Sequence, residues 1–139
     1  MTLSLRNQLR GTVTAVTTGG AMASVRVRLA GGQDITAAIT AEAVRELGLA
    51  EGSAVRALVK STEVALATRP VDGISLRNQL PGSVTAVSTG AAMGAVKVSV
   101  EGGELTAAIT REAVDELGLA AGSPVVALIK ATEIALASA

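Results

Sequence analysis

The chain has 139 residues, with 12 basic and 12 acidic side chains and no Phe, Tyr, Trp, His or Cys. Without His or Cys, disulfides, the usual transition-metal ligands and the commonest acid–base and nucleophilic machinery are all missing. Balanced charge and the lack of aromatic stacking platforms argue against nucleic acid as a partner, and no run approaches the roughly 20 apolar residues of a membrane span.

The first β-rich stretch is Gly11-Thr12-Val13-Thr14-Ala15-Val16, closed by a Gly19-Gly20 break. Val25, Val27 and Leu29 then alternate with Ser24, Arg26 and Arg28, the period of a strand with one buried face. Gly31-Gly32 reads as a hairpin turn, and Ile35, Ala37 and Ile39 alternate along the returning strand. Thr40 suits the N-cap of a short helix over 41–47, with Glu42 in its first turn and Gly48 as the residue that ends it. Residues 55–59 and 63–67 read as two further strands.

The whole pattern is then repeated. Ser4-Leu5-Arg6-Asn7-Gln8-Leu9 returns as Ser75-Leu76-Arg77-Asn78-Gln79-Leu80, and Lys60-Ser61-Thr62-Glu63 as Lys130-Ala131-Thr132-Glu133. The second copy is one residue shorter, at Glu104-Leu105 against Gln33-Asp34-Ile35. The duplication divides the chain into a first domain over 1–67, a linker over 68–73 punctuated by Pro70 and Gly73, and a second domain over 74–139. The expected class is all-β with short helices: two tandem OB-type five-stranded barrels, each with one short α-helix. Units this small, with only aliphatic side chains for a core, are marginal alone, so each must pack on its twin or on another chain, and an oligomer is expected. The N-terminus has no long apolar run after its first basic residue, so no secretory signal is expected and a cytoplasmic location is.

No catalytic constellation emerges, and the chain is not expected to be an enzyme. Glu42 and Glu112 sit where helix starts favour Glu, and Glu46 and Glu116 fall on the solvent side of the predicted helices. Glu63 and Glu133, in the repeated final segment, suit pairing with a Lys or Arg. The polar positions kept in both copies are richer in donors: Ser4, Arg6 and Asn7 before the first strand, Thr40 at the helix start, and Lys60 and Thr62 near the end. A guanidinium, an ammonium, hydroxyls and an amide suit a small oxyanion with several acceptor oxygens. The residues alone allow equally that Ser-x-Arg-Asn makes a turn and that Lys60 is a solvated surface charge.

The ordered set Ser-x-Arg-Asn-Gln-Leu-x-Gly, Gly-Gly, Thr-Ala-x-Ile-Thr, Glu-Ala-Val-x-Glu-Leu-Gly-Leu-x-x-Gly and Ala-Leu-x-Lys-x-Thr-Glu resembles the Mop domain of the molbindins, and the chain resembles a tandem, or di-Mop, member. The resemblance covers nearly all of both copies outside the linker. It implies an OB-type fold, homotrimers, and molybdate or tungstate held as the oxyanion at interfaces between domains, without direct cation coordination or an organic cofactor. The implied role is intracellular molybdenum storage and homeostasis; the alternative is an oxyanion-sensing accessory module for molybdate transport or regulation. The implied ligands are Ser4, Arg6, Thr40, Lys60 and Ser61 in the first copy and Ser75, Arg77, Thr110 and Lys130 in the second. Asn7 and Asn78 belong to the same motif as turn-forming or supporting residues. Ala131 stands where the first copy has Ser61, so one hydroxyl donor is lost and unequal sites are expected.

Overall fold

The computed structural model describes residue 5 and residues 7–139. In the first copy the elements are β1 (Asn7–Gly19), β2 (Met22–Leu29), β3 (Asp34–Thr40), helix α1 (Ala41–Leu47), β4 (Ala54–Val59), a 3-10 turn (Ser61–Glu63) and β5 (Ala65–Ala67). The second copy supplies β6 (Asn78–Thr89), β7 (Met93–Val100), β8 (Gly103–Thr110), α2 (Arg111–Leu117), β9 (Pro124–Ile129), a 3-10 turn (Ala131–Glu133) and β10 (Ala135–Ser138). The strand expected over 63–67 is therefore shorter. The Glu63 and Val64 N–H groups donate to the Lys60 and Ser61 carbonyls, at 2.9 and 3.4 Å, and this tight turn holds the first residues out of the sheet.

Two curled five-stranded antiparallel sheets result, and each takes its last strand from the other copy. The orders are β10-β4-β1-β2-β3 and β5-β9-β6-β7-β8. Ala135–Ser138 pairs with β4 of the first copy, and Ala65–Ala67 with β9 of the second. Each curled sheet matches the OB-type expectation of five strands and one short helix. A division at residues 67 and 74 separates the sequence repeats but not the sheets. The chain passes between sheets at the two 3-10 turns, whereas the 68–73 linker runs from β5 to β6 within the second sheet.

Within each sheet the alternation read from the sequence sets the faces. Val25, Val27 and Leu29 of β2 are buried while Ser24, Arg26 and Arg28 are exposed. A bulge at Thr14, between Val13 and Ala15, bends β1. It turns the Val13 backbone toward the loop before β4, where Val13 N–H donates to Ser53 O at 2.9 Å and Val13 O accepts from Gly52 N–H at 2.8 Å. Thr40 caps α1 as expected, its Oγ1 accepting from Ala43 N–H at 3.1 Å. Gly48, at φ 61°, ends the helix while Leu49 N–H donates to Val44 O at 3.0 Å. Thr110, Gly118 and Leu119 repeat this at α2.

A single apolar core runs through both sheets, with Leu9, Val59, Val64, Leu80, Ile129 and Ile134 among its members. Two small interiors thus become one, which answers the marginal size of each repeat within the chain itself. The hairpin tips also meet. A Cβ on Gly31 would lie 2.5 Å from the carbonyl carbon of Glu101, and one on Gly102 2.5 Å from the Gly31 nitrogen, so backbone touches backbone there.

Asn7 and Asn78 complete the lock. β3 and β8 are edge strands, and their outward N–H and C=O groups need partners once covered. Asn78 crosses to β3, where its Oδ1 accepts from Thr36 N–H at 2.8 Å and its Nδ2 donates to Thr36 O at 2.9 Å. Asn7 crosses to β8 in the same way, at 2.7 Å from Thr106 N and 2.8 Å to Thr106 O. They are the only buried polar residues among those described, at 1% and 2% exposure. Each amide completes the ladder of the opposite copy, a role more specific than the turn-forming one expected.

Candidate oxyanion site

The passages between sheets carry the candidate ligands. In the second copy an open depression of about 390 Å³ is lined by Ile74, Ser75, Leu76, Arg77, Lys130, Ala131 and Thr132. Four of the expected positions (Ser75, Arg77, Lys130 and Ala131) therefore come together, although more than 50 residues separate Arg77 from Lys130 along the chain. β6 brings in the Ser-x-Arg segment at its start, and the end of β9 brings in Lys130. No carboxylate lines the depression, so the two cations face no competing anion within it.

Arg77 also organises this loop. Its Nε donates to Ser75 O at 3.1 Å and its Nη2 to Ile74 O at 2.7 Å, which folds the segment around the guanidinium. Ala131 lacks a hydroxyl but opens a 3-10 turn, where the first N–H groups have no acceptor within the turn. Its backbone remains a donor where its side chain is not.

In the first copy a depression of about 530 Å³ is lined by Leu5, Lys60, Ser61 and Thr62. Ser4 and Arg6 lie outside the described residues. Lys60 and Ser61 occupy the same turn as Lys130 and Ala131. Thr40 lines a separate depression of about 420 Å³ with Gly20, Ala21, Ala41, Glu42 and Arg45. The expected set is thus divided: Thr40 does not join Lys60, and Thr110 does not line the depression around Arg77. The Thr40 and Thr110 hydroxyls accept helix N–H groups and leave only their own proton to donate. Asn7 and Asn78 are spent on the ladders described above.

Sequence reasoning missed Arg45, which has no counterpart because Asp115 occupies its position in α2. Thr62 and Thr132, kept in both copies, line the depressions beside the lysines and carried a visible signal. No group of three or more metal-ligating side chains exists among the described residues.

Comparison with known proteins gives the family. The TOBE domain model matches residues 3–66 and again residues 74–136. The chain belongs to the TOBE family, as a tandem of Mop domains. This tandem is similar to the molybdenum-pterin-binding protein MopA of Rhodobacter capsulatus, at 42% identity over 139 residues that cover 99% of this chain and 52% of the relative. It is also 39% identical to the molybdenum transport protein ModE of Herbaspirillum seropedicae over 139 residues, again 99% of this chain and 52% of the relative. The tandem thus spans about half the length of these curated relatives. Among solved structures, the cytoplasmic molybdate-binding protein ModG with molybdate bound matches at a TM-score of 0.96 and 40% identity, with 100% of both chains covered. The Mop tandem therefore has the whole fold of ModG.

Proposed function

We propose that this tandem binds molybdate, or tungstate, as an intact tetrahedral dianion and acts without catalysis in molybdenum storage and homeostasis in the cytoplasm. The observation that carries the reading is the acid-free depression where Ser75, Arg77 and Lys130 meet, in a chain similar along its full length to molybdate-bound ModG. The Lys60–Ser61 turn is the first-copy counterpart in this reading, and Ser4 and Arg6 are proposed as its further ligands from their match to Ser75 and Arg77 in the sequence. Fixed N–H and O–H donors replace the water around the anion, and guanidinium and ammonium offset its charge. Sulfate carries the same charge but is smaller, so the spacing of donors must discriminate.

Both depressions are open to solvent, and the reading includes a homotrimer in which a second chain closes them and Thr40 and Thr110 reach the anion of a neighbouring chain. Ligand at such a boundary stabilises the assembly by mass action. No described helix is long and apolar enough to cross a membrane. A second reading, the oxyanion-sensing part of a transport or regulatory protein, is favoured by the match to half of ModE.

Native mass spectrometry with and without molybdate tests the proposal. A trimer that gains a fixed number of molybdate ions supports it; a monomer, or a spectrum that molybdate leaves unchanged, overturns it.

A further inference from the structure

The two sheets differ most on the face that looks away from the core. In the first sheet Arg10 of β1 stands directly opposite Arg56 of β4, and Arg26 and Arg28 follow along the same side of β2. Neighbours on adjacent strands lie about 5 Å apart and alternate residues of one strand about 7 Å apart, so the four arginines form a band along one face of three adjacent strands. Gln8 fixes one of them, its Oε1 accepting from Arg56 Nη1 at 2.9 Å. A depression of about 500 Å³ runs between Arg10, Thr12, Thr14 and Arg28. Asp34 is the acid paired there, with its carboxylate on Arg28 at 3.1 Å.

Two arginines directly opposite each other in a ladder repel, which costs stability unless an anion lies across them. The second copy avoids this. Its residues at the corresponding places are Pro81, Val126, Lys97 and Ser99. The division extends to net charge: residues 1–67 hold seven Lys or Arg against five Asp or Glu, and residues 74–139 four against six. Zero net charge therefore hides a basic half and an acidic half.

The second sheet also shows how an extended segment is held on this face. Gln79, the counterpart of Gln8, grips the linker at both backbone groups of Val71: Val71 N–H donates to its Oε1 at 3.0 Å and its Nε2 donates to Val71 O at 2.8 Å. In the first sheet the Gln8 amide is already engaged, on Arg56 and on Leu5 O at 3.3 Å, so charge rather than an amide grip must hold a segment there. From the four arginines and the depression beside them we infer that the outer face of the first sheet docks an extended acidic segment of a partner protein. Carboxylates on one side of an extended chain repeat at the same ~7 Å as alternate residues of β2, and each meets a guanidinium fork. A protein segment fits better than nucleic acid, because the chain has no aromatic side chain on which a base can stack.

The test uses the full chain at low salt, titrated against a fluorescein-labelled octaglutamate peptide and a single-stranded oligonucleotide of eight nucleotides. The inference expects saturable peptide binding that weakens with salt, falls about tenfold or more in R10Q/R56Q and in R26Q/R28Q, and is unchanged in K97Q. Thermal unfolding and molybdate titration of each variant show whether the fold is intact. A folded R10Q/R56Q that keeps wild-type peptide affinity overturns it, as does a chain that ignores the peptide. Tighter binding of the oligonucleotide, or charge-dependent self-association that excludes the peptide, overturns it in favour of those occupants.

Discussion

The two halves of this molecule match position for position inside and differ outside. Leu9 and Leu80, Val27 and Val98, and Asn7 and Asn78 occupy matching buried positions, and even the bulges at Thr14 and Thr85 coincide. On the surface Arg10, Arg28 and Arg56 face Pro81, Ser99 and Val126, and Ser61 faces Ala131. The difference teaches where the duplication is constrained. Each copy must fit the other across one core, and a change at a crossing contact disturbs both sheets. A surface residue answers only to its own ligand or partner.

The most severe way to break the symmetry is at the crossing amides. Asn78→Ala leaves the N–H and C=O of Thr36 unpaired in a part-buried place and is expected to cost about 2–4 kcal/mol in urea unfolding. Asn7→Ala should cost as much through Thr106. A much smaller loss would mean that water replaces the amide. Next comes the meeting of hairpin tips. Gly102→Ala sets a Cβ against the Gly31 backbone at a φ of 87° and is expected to destabilise by about 1–3 kcal/mol, read from the same unfolding curves.

At the anion sites, Arg77→Ala removes both a cation and the clasp on Ile74 and Ser75. Calorimetry should show molybdate affinity of the second-copy site reduced about tenfold or more. Ala131→Ser tests the inequality of the copies more finely. Restoring the hydroxyl should tighten the second-copy site by about two- to tenfold, and identical affinity before and after would show that Ser61 donates nothing.

The smallest effect is expected at the exposed Arg28–Asp34 pair. A hydrogen bond from Arg28, with its charge, holds the Asp34 carboxyl below its ordinary range. The pair's contribution is therefore present above the ordinary carboxylate pKa and is lost as pH falls through the lowered one. Both groups are solvent-exposed, so Asp34→Asn is expected to leave the melting temperature unchanged within error at neutral pH.

Much of this was legible in the residues. Alternation along β2 and β7, the Thr40 and Thr110 caps and the Gly48 and Gly118 stops are local rules, satisfied within a few residues of chain. The candidate donors were legible through their repetition, which marked Ser75, Arg77 and Lys130 before anything placed them together. Arg45 was not, because its copy-two counterpart is an acid. The separation of Thr40 from Lys60 was hidden as well, since sequence spacing says nothing of which depression a loop faces.

What the sequence by itself determined is the set of elements, their buried faces and the duplication. Strand exchange was decided only by the tertiary structure. β5 and β10 both begin Ala-Leu-Ala, so neither hydrophobic period nor register distinguishes the sheet that receives them. The choice follows from the 3-10 turns at Lys60 and Lys130, which send the last strand of each copy across a shared core. There the exchanged strands, with Asn7 and Asn78, satisfy edges that one small copy has too little interior to cover.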